Sequence, residues 1–298
     1  MTRAEGADRL AVEASRETQR LVALHEGARR MRALGERDER WTAYAATSRS
    51  LRDKAIALSM RGPVALVSEG GAGAAAIAKV LHDQGPGAAS PFVILDAGGA
   101  RLDGLLAALV GDARESPERA GWLEHAAGGT LVLEDLPALG HDAQVALVDA
   151  LRTGTSRRLG AEHGYAVDVR VVVTMRDRPE RFDLPRALLD MLSERTVRVP
   201  PLRERIEDLE SLTLLSIDRA CRVHGRAALG VGPEAALALR SYRWPGNLDE
   251  LDAAIEHAVR RAKGTRIALD DLPAQVRAAL ADDLEEEYES DRPWRGDA

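Results

Sequence analysis

The chain has 298 residues, of which 45% are apolar and 30% are charged, and its formal net charge is −7. This length and apolar content allow one large domain plus a smaller one, and the acidic balance argues against binding to the phosphate backbone of nucleic acid. No run approaches the roughly 20 apolar residues that a membrane span needs, and the N-terminus lacks the apolar core of a signal peptide. These features predict a cytoplasmic globular protein with no membrane partner.

Residues 1–40 are predicted to form an N-terminal helical segment. Residues 8–34 contain no proline. Four apolar positions repeat at alternating spacings of three and four, which places them on one helix face: Leu21, Leu24, Ala28 and Met31. This face packs either on a partner chain or on the body of its own protein, and so short a repeat does not decide between the two.

Residues 41–205 alternate between short apolar runs and longer amphipathic segments. The apolar runs, which we expect to be buried strands, are Val64 to Val67, Phe92 to Leu95, Thr130 to Leu133 and Val169 to Thr174. Such alternation predicts an α/β domain in which a parallel sheet is sandwiched by helices.

The pattern changes after Pro200 and Pro201, where only helical periodicities follow. They predict a small all-helical domain over residues 206–279, without further strands. The acidic residues 280–298 are expected to be a disordered tail, since they hold few apolar groups. The single cysteine, Cys221, cannot form an internal disulfide, and we expect it to be buried and structural.

A glycine-rich turn, Ser68 to Gly73, lies between a predicted strand and a predicted helix, which is the context of a phosphate-binding loop. In such a loop, glycine N–H groups converge on the phosphates, a lysine neutralises their oxygens, and a hydroxyl helps to hold magnesium. The candidate nucleotide-binding residues are Gly70, Gly71, Gly73, Ala74 and Ala75.

Ala74 stands where the lysine belongs, and Ala75 follows it. Lys79 lies about 7.5 Å further along the same helix and on another face, so it is not expected to reach the phosphates. The loop therefore offers ATP or ADP only backbone N–H groups and a helix N-terminus, which is a weaker attraction.

An acidic pair, Glu134 and Asp135, ends the third predicted strand. Sites that bind magnesium there carry aspartate first and glutamate second, and the reversed order moves each carboxylate by roughly 1.5 Å, enough to spoil in-line geometry. The pair is either a vestige of such a site or two solvated acids at a strand end. No metal site is predicted from the remaining residues.

Six stretches, taken in order, resemble the central AAA+ domain of bacterial enhancer-binding proteins, the NtrC-like family that interacts with sigma-54: SEGGAGAAAIAKVLH, PFVILDAGGA, AAGGTLVLEDLPAL, DVRVVVTMRD, RVPPLRERIEDLE and YRWPGNLDEL. The resemblance covers residues 45–275. Its most specific parts are Pro200 to Leu209 and the turn Trp244 to Asn247. It implies a P-loop AAA+ sheet followed by a helical lid, and it says more about fold than about activity.

The residues that this family uses in its reaction are replaced here. The resemblance places the sigma-54-contacting GAFTGA loop between Gly111 and Gly121, where this chain has a shorter DARESPERA, so we do not expect the family's contact with sigma-54. The resemblance also implies that four further functional residues are replaced. Pro185 and Met191 stand where the family has arginine fingers, Asp249 where it has the lid arginine, and Met175 where it has the sensing asparagine. Arg186, next to the first finger position, is the candidate substitute.

These replacements favour a pseudo-ATPase that acts through protein partners, either an active AAA+ paralogue or further copies of itself. Two alternatives stay open. One is a nucleotide-binding regulatory module that holds ATP or ADP with magnesium, and the other is a slow ATPase that uses Glu134, Asp135 and Arg186. Neither a receiver domain before residue 40 nor a helix-turn-helix after residue 280 is expected, so direct DNA binding is not predicted.

Overall fold

A computed structural model describes residues 46–59, 62–99, 104–114 and 117–280. The predicted N-terminal helical segment and the acidic tail lie outside these residues. The chain divides into two compact units. One, here called the sheet unit, includes Ala74–Arg198, and the other, here called the lid unit, includes both Ser68–Gly73 and the chain from Val199 onward.

A five-stranded parallel sheet forms the centre of the sheet unit. Its strands are β1 (Val64–Val67), β2 (Phe92–Asp96), β3 (Thr130–Glu134), β4 (Arg170–Met175) and β5 (Thr196–Arg198). They lie in the order β2-β3-β4-β1-β5, and β1 pairs with β4 in the register Val64↔Val172. The strands consist of continuous valine, leucine and isoleucine runs because helices cover both faces of a parallel sheet, and the predicted α/β fold is confirmed.

In the described part of the chain before residue 199, the α-helices are α1 (Ala46–Ser59), α2 (Ala74–Asp83), α3 (Leu105–Val110), α4 (Trp122–His125), α5 (His141–Thr153) and α6 (Arg186–Leu192). Helix α5 shows how the spacing of apolar residues in the sequence produces such helices. Its buried residues Ala143, Leu147, Val148 and Ala150 repeat at helical spacing and join the core of the sheet unit, whereas Val145 is exposed among polar side chains.

The lid unit contains α7 (Leu209–Val223), α8 (Pro233–Ser241) and α9 (Asn247–Arg261), and residues 274–280 are also helical. Helix α9 buries Leu248, Leu251, Ile255 and Val259, which share one face. Its first turn carries two acids and its last turn two arginines, the arrangement that complements the helix dipole. Cys221 is buried in α7, as predicted.

The expectation that no strand follows Pro201 was wrong. Gly230–Val231 and Arg266–Ile267 pair as a two-residue parallel ladder in the lid unit. Two residues are too few to produce an alternating pattern in the sequence. Among the described residues, no helix is long and apolar enough to cross a membrane.

Candidate functional site

The glycine-rich loop Ser68–Gly73 follows β1 and leads into α2 with two residues in the left-handed region. Gly71 has φ +71° and Gly73 has φ +96°, conformations that glycine adopts without steric cost. A Cβ on Gly71 would also lie 2.4 Å from the carbonyl oxygen of Gly246, so only glycine fits there. The loop thus has the tight glycine turn that the sequence predicted.

Three successive carbonyl groups of this loop accept hydrogen bonds from the lid. Asn247 Nδ2 donates to Gly70 at 3.0 Å, the N–H of Leu248 donates to Gly71 at 3.0 Å, and Arg205 Nη2 donates to Ala72 at 2.8 Å. The loop and the start of α9 are therefore held together by the protein itself. Sequence reasoning did not identify these contacts.

Arg203 and Glu69 form a two-pronged ion pair beside these bonds. Arg203 Nη1 lies 2.8 Å from Glu69 Oε2, and Nη2 lies 2.5 Å from Oε1. Glu69 raises the pKa of Arg203 through this hydrogen bond, so the guanidinium stays charged. Since both side chains are about two-fifths exposed, the pair orients the loop more than it stabilises the fold.

Arg205 is nearly fully buried in the lid unit, with 3% of its surface exposed. Burial lowers its pKa to about 10, and the nearby Asp208 opposes this effect. Arg205 is therefore still protonated near pH 7, and it places a positive charge at the Ala72 carbonyl of the loop.

The carboxylate of Asp249 lies close to Gly71 of the loop. A Cβ built on Gly71 would be 3.2 Å from Asp249 Oδ2. This is the position to which the resemblance assigns a phosphate-sensing arginine. At the helix side of the loop, Ala74 begins α2 with a buried methyl group, and Ala75 follows it.

Lys79 is engaged elsewhere on α2. Its ammonium group forms an ion pair with Asp83 and lies 5.6 Å from the centre of the Phe92 ring. These contacts agree with the expectation that it does not replace the missing lysine.

The acidic pair lies in the sheet unit at the carboxyl edge of the sheet. Glu134 ends β3 opposite Asp96 of β2. Asp135 has φ +56°, and its N–H donates to Thr174 Oγ1 at 3.1 Å. Within the described residues, no group of three or more His, Cys, Asp or Glu side chains is arranged to hold a metal ion.

The positions compared with arginine fingers lie on or beside α6, in the sheet unit. Pro185 caps the N-terminus of α6, and Met191 is half-buried near its end. Arg186 is 86% exposed and pairs with Asp190 at 3.0 Å. Met175, at the end of β4, is buried.

The short segment between Gly111 and Gly121 is held by ion pairs that sequence reasoning missed. Arg158 binds Glu124 at 2.7 Å and Glu118 at 2.8 Å, and Arg114 binds Asp112 at 2.7 Å. Hydrogen bonds from Arg114 lower the pKa of Asp112 to about 2, and hydrogen bonds from Arg158 lower the pKa of Glu124. No sequence signal connects Arg158 with acids more than 30 positions earlier.

Comparison with known proteins adds two family matches. Residues 42–191 match the sigma-54 interaction domain, and residues 203–288 match an AAA+ ATPase lid domain.

Individual relatives are similar over most of this chain. The C4-dicarboxylate transport transcriptional regulatory protein DctD of Pseudomonas aeruginosa is 31% identical over 252 residues, which are 80% of this chain and 54% of DctD. The response regulator protein PilR of the same species is 30% identical over 245 residues, which are 79% of this chain and 55% of PilR. The chain spans about half the length of these curated relatives.

Among solved structures, NtrX from Brucella abortus in complex with ATP is similar, with a TM-score of 0.73 and 26% identity. The likeness covers 91% of this chain and 61% of the NtrX chain.

Proposed function

The chain belongs to the family of sigma-54 interaction domains, and we propose that it is a member that does not hydrolyse ATP and acts in transcription regulation or signalling through contacts with other proteins. The charge distribution around the loop Ser68–Gly73 carries this proposal. A triphosphate needs positive charge at this loop, but the chain has Ala74 at the lysine position and the Asp249 carboxylate beside Gly71.

Charge repulsion near the phosphates and the loss of a group that stabilises the transition state each change the free energy by several kcal/mol. Two like charges about 4 Å apart repel by about 4 kcal/mol at an effective dielectric constant of about 20. Removing one electrostatic partner of a transition state costs roughly 3–4 kcal/mol. Grouped losses at Ala74, Met175, Met191 and Asp249 therefore leave little rate, because such residues act as a unit.

The hydrogen bonds between loop and lid support the same proposal. The three bonds to the carbonyls of Gly70, Gly71 and Ala72 join the loop directly to Asn247, Leu248 and Arg205. A ligand shifts a conformational equilibrium only as far as it binds the two states differently. Because protein groups themselves hold the loop to these lid residues, we expect ATP to shift this arrangement little and to drive no conformational cycle.

The partner that we propose is either an active AAA+ paralogue, in a mixed ring, or further copies of this chain. The sheet unit and the lid unit both keep complete apolar cores although the reaction residues are replaced. A protein that keeps its fold while its reaction residues are replaced is best explained by a role in assembly with other chains. Co-purification that recovers no AAA+ protein, together with a monomeric mass by light scattering, would contradict this part of the proposal.

Steady-state phosphate release tests the absence of hydrolysis. The purified full chain is compared with a Glu134→Ala/Asp135→Ala variant, which measures contaminating ATPase. The proposal predicts equal rates for the two proteins. A wild-type rate clearly above the control would instead support the slow ATPase that uses Glu134, Asp135 and the exposed Arg186.

One observation favours a second function, that of a nucleotide-binding module without turnover. Gly71 and Gly73 keep the positive φ angles of a phosphate-binding turn, and the similar NtrX structure contains ATP. Calorimetric titration with ATP and ADP in the presence of magnesium tests this function. Micromolar binding that a Gly73→Glu variant abolishes would favour it, and absence of heat with both nucleotides would leave the scaffold function alone.

A further inference from the structure

A groove of about 1080 Å³ lies on the sheet unit between α3, α5 and the antiparallel ribbon formed by Thr155–Ser156 and Tyr165–Ala166. Its floor is apolar and consists of Leu106, Val110, Val145, Ala146 and Leu159. The Tyr165 hydroxyl donates to the Val110 carbonyl at 3.1 Å and fixes one wall. Val145 is 38% exposed in this groove, so the floor presents apolar surface to solvent.

The rim of the groove is acidic. It carries three exposed carboxylates, on Asp142, Asp149 and Glu162, but only one guanidinium among the described lining residues, on Arg157. Within the described part of the chain, none of these three carboxylates takes part in an ion pair. The complementary occupant is therefore a helix with one apolar face that is flanked by positive charge.

We propose that this groove binds residues 20–32 of the same chain. The apolar stripe of that segment is Leu21, Leu24, Ala28 and Met31. At about 100° per residue, Arg20 and Arg32 fall on opposite sides of the stripe, each about 60° from its centre. Apolar residues thus meet the floor while the two arginines meet the acidic rim.

The intervening chain is long enough for this arrangement. The stretch from Arg32 to the start of α1 at Ala46 extends to about 45 Å when stretched. The chain enters the sheet unit at Arg52, about 9 Å along α1 from Ala46. A unit of this size has a radius of gyration of about 15 Å and is about 40 Å across, so the stretch reaches much of its surface. This inference does not depend on whether the chain hydrolyses or binds ATP.

Limited trypsin digestion of the full chain tests the proposal, because Arg29 and Arg30 lie within the segment. A docked segment is cut slowly. We expect Val145→Glu to raise the rate of cleavage after these two arginines at least five-fold. The matched control is Val223→Glu on α7, where the side chain is 72% exposed, and it should leave the rate unchanged.

A second pair of variants changes the segment instead of the groove. Leu24→Glu should accelerate cleavage as Val145→Glu does, whereas Val22→Glu, on the opposite helix face, should not. Equal rates for the wild type, Val145→Glu and Leu24→Glu would overturn the proposal. Protection that disappears on ten-fold dilution would overturn it too, since the occupant would then be a segment of another copy.

Discussion

Trp244 and Asn247 illustrate at the residue scale how the lid unit holds the turn beside the loop. Both residues have positive φ, +52° and +53°, and both are fully buried. The left-handed region costs a residue other than glycine roughly 1–2 kcal/mol. The Trp244 indole N–H offsets this cost by donating to the Leu239 carbonyl at 2.9 Å, and its ring packs edge-on against Tyr242.

Removing the indole should destabilise the protein strongly. We expect Trp244→Ala to lower the free energy of unfolding by about 3–5 kcal/mol, because a large buried side chain leaves a cavity. Trp122→Ala, at a half-exposed position, is the control and should cost less. Denaturant titration followed by circular dichroism measures both values, and equal losses would contradict the packing described for Trp244.

Two substitutions at Asn247 separate the effect of backbone strain from the effect of hydrogen bonding. Its side chain accepts a hydrogen bond from the Leu202 N–H at 2.8 Å and donates to the Gly70 carbonyl at 3.0 Å. Asn247→Gly removes these bonds but fits the positive φ, whereas Asn247→Ala removes them and adds strain. Both should lower the unfolding free energy by about 1–3 kcal/mol through unpaired buried groups, and the alanine variant by about 1 kcal/mol more. Because glycine also relieves the strain of the positive φ, a glycine variant more stable than the wild type by about 1–2 kcal/mol would show that these bonds contribute nothing.

At the scale of elements, ion pairs join helix α4 to two antiparallel ribbons. One ribbon is formed by Gly111–Asp112 and Arg119–Ala120, and the other includes Thr155–Ser156. Arg158 connects them through Glu118 and Glu124, and Leu159 exchanges backbone hydrogen bonds with Gly111 and Ala113. The described residues of the segment between Gly111 and Gly121 are therefore joined to neighbouring elements by ion pairs and backbone hydrogen bonds.

These ion pairs predict how stability depends on pH. The pKa values of Asp112 and Glu124 are lower in the folded protein than the ordinary 3.8 and 4.5. A depressed carboxyl pKa contributes stability that is complete above the ordinary value and is lost as the pH falls through the folded value. Acid should therefore remove this contribution progressively below about pH 4.5, and down to about pH 2 for Asp112.

Arg158→Gln should make this acid loss shallower, because Glu124 then loses its main hydrogen-bond donor. The neighbouring Arg157→Gln is a matched control, since Arg157 is exposed at the groove rim. The measurement is the unfolding free energy between pH 6 and pH 3. Parallel curves for Arg158→Gln and the wild type would contradict the assigned role of Arg158.

At the scale of the whole molecule, the sequence predicted those features that depend on local periodicity. The apolar runs at β1, β2, β3 and β4 were found within one residue of their ends, because continuous valine and leucine runs mark buried strands. The strand Thr196–Arg198 was missed, since three residues with only Val197 buried carry no pattern.

The candidate site was only partly predictable. The glycine turn was found because its residues are contiguous. The bonds from Arg203, Arg205 and Asn247 to the loop were not, because they join residues more than 130 positions apart and arise only when the chain has folded. The same holds for Asp249: the sequence shows that an aspartate occupies this position, but it does not show that the carboxylate lies beside Gly71.

Single-turnover hydrolysis tests the central claim most directly. The full chain, in large excess over γ-labelled ATP with magnesium, is compared with Glu134→Ala/Asp135→Ala, so that even a very slow site would be seen. The account predicts that labelled phosphate appears at the same rate with both proteins, because neither Ala74 nor Asp249 supplies positive charge to the transition state. Faster release by the wild-type chain would contradict it and would make this protein a slow ATPase.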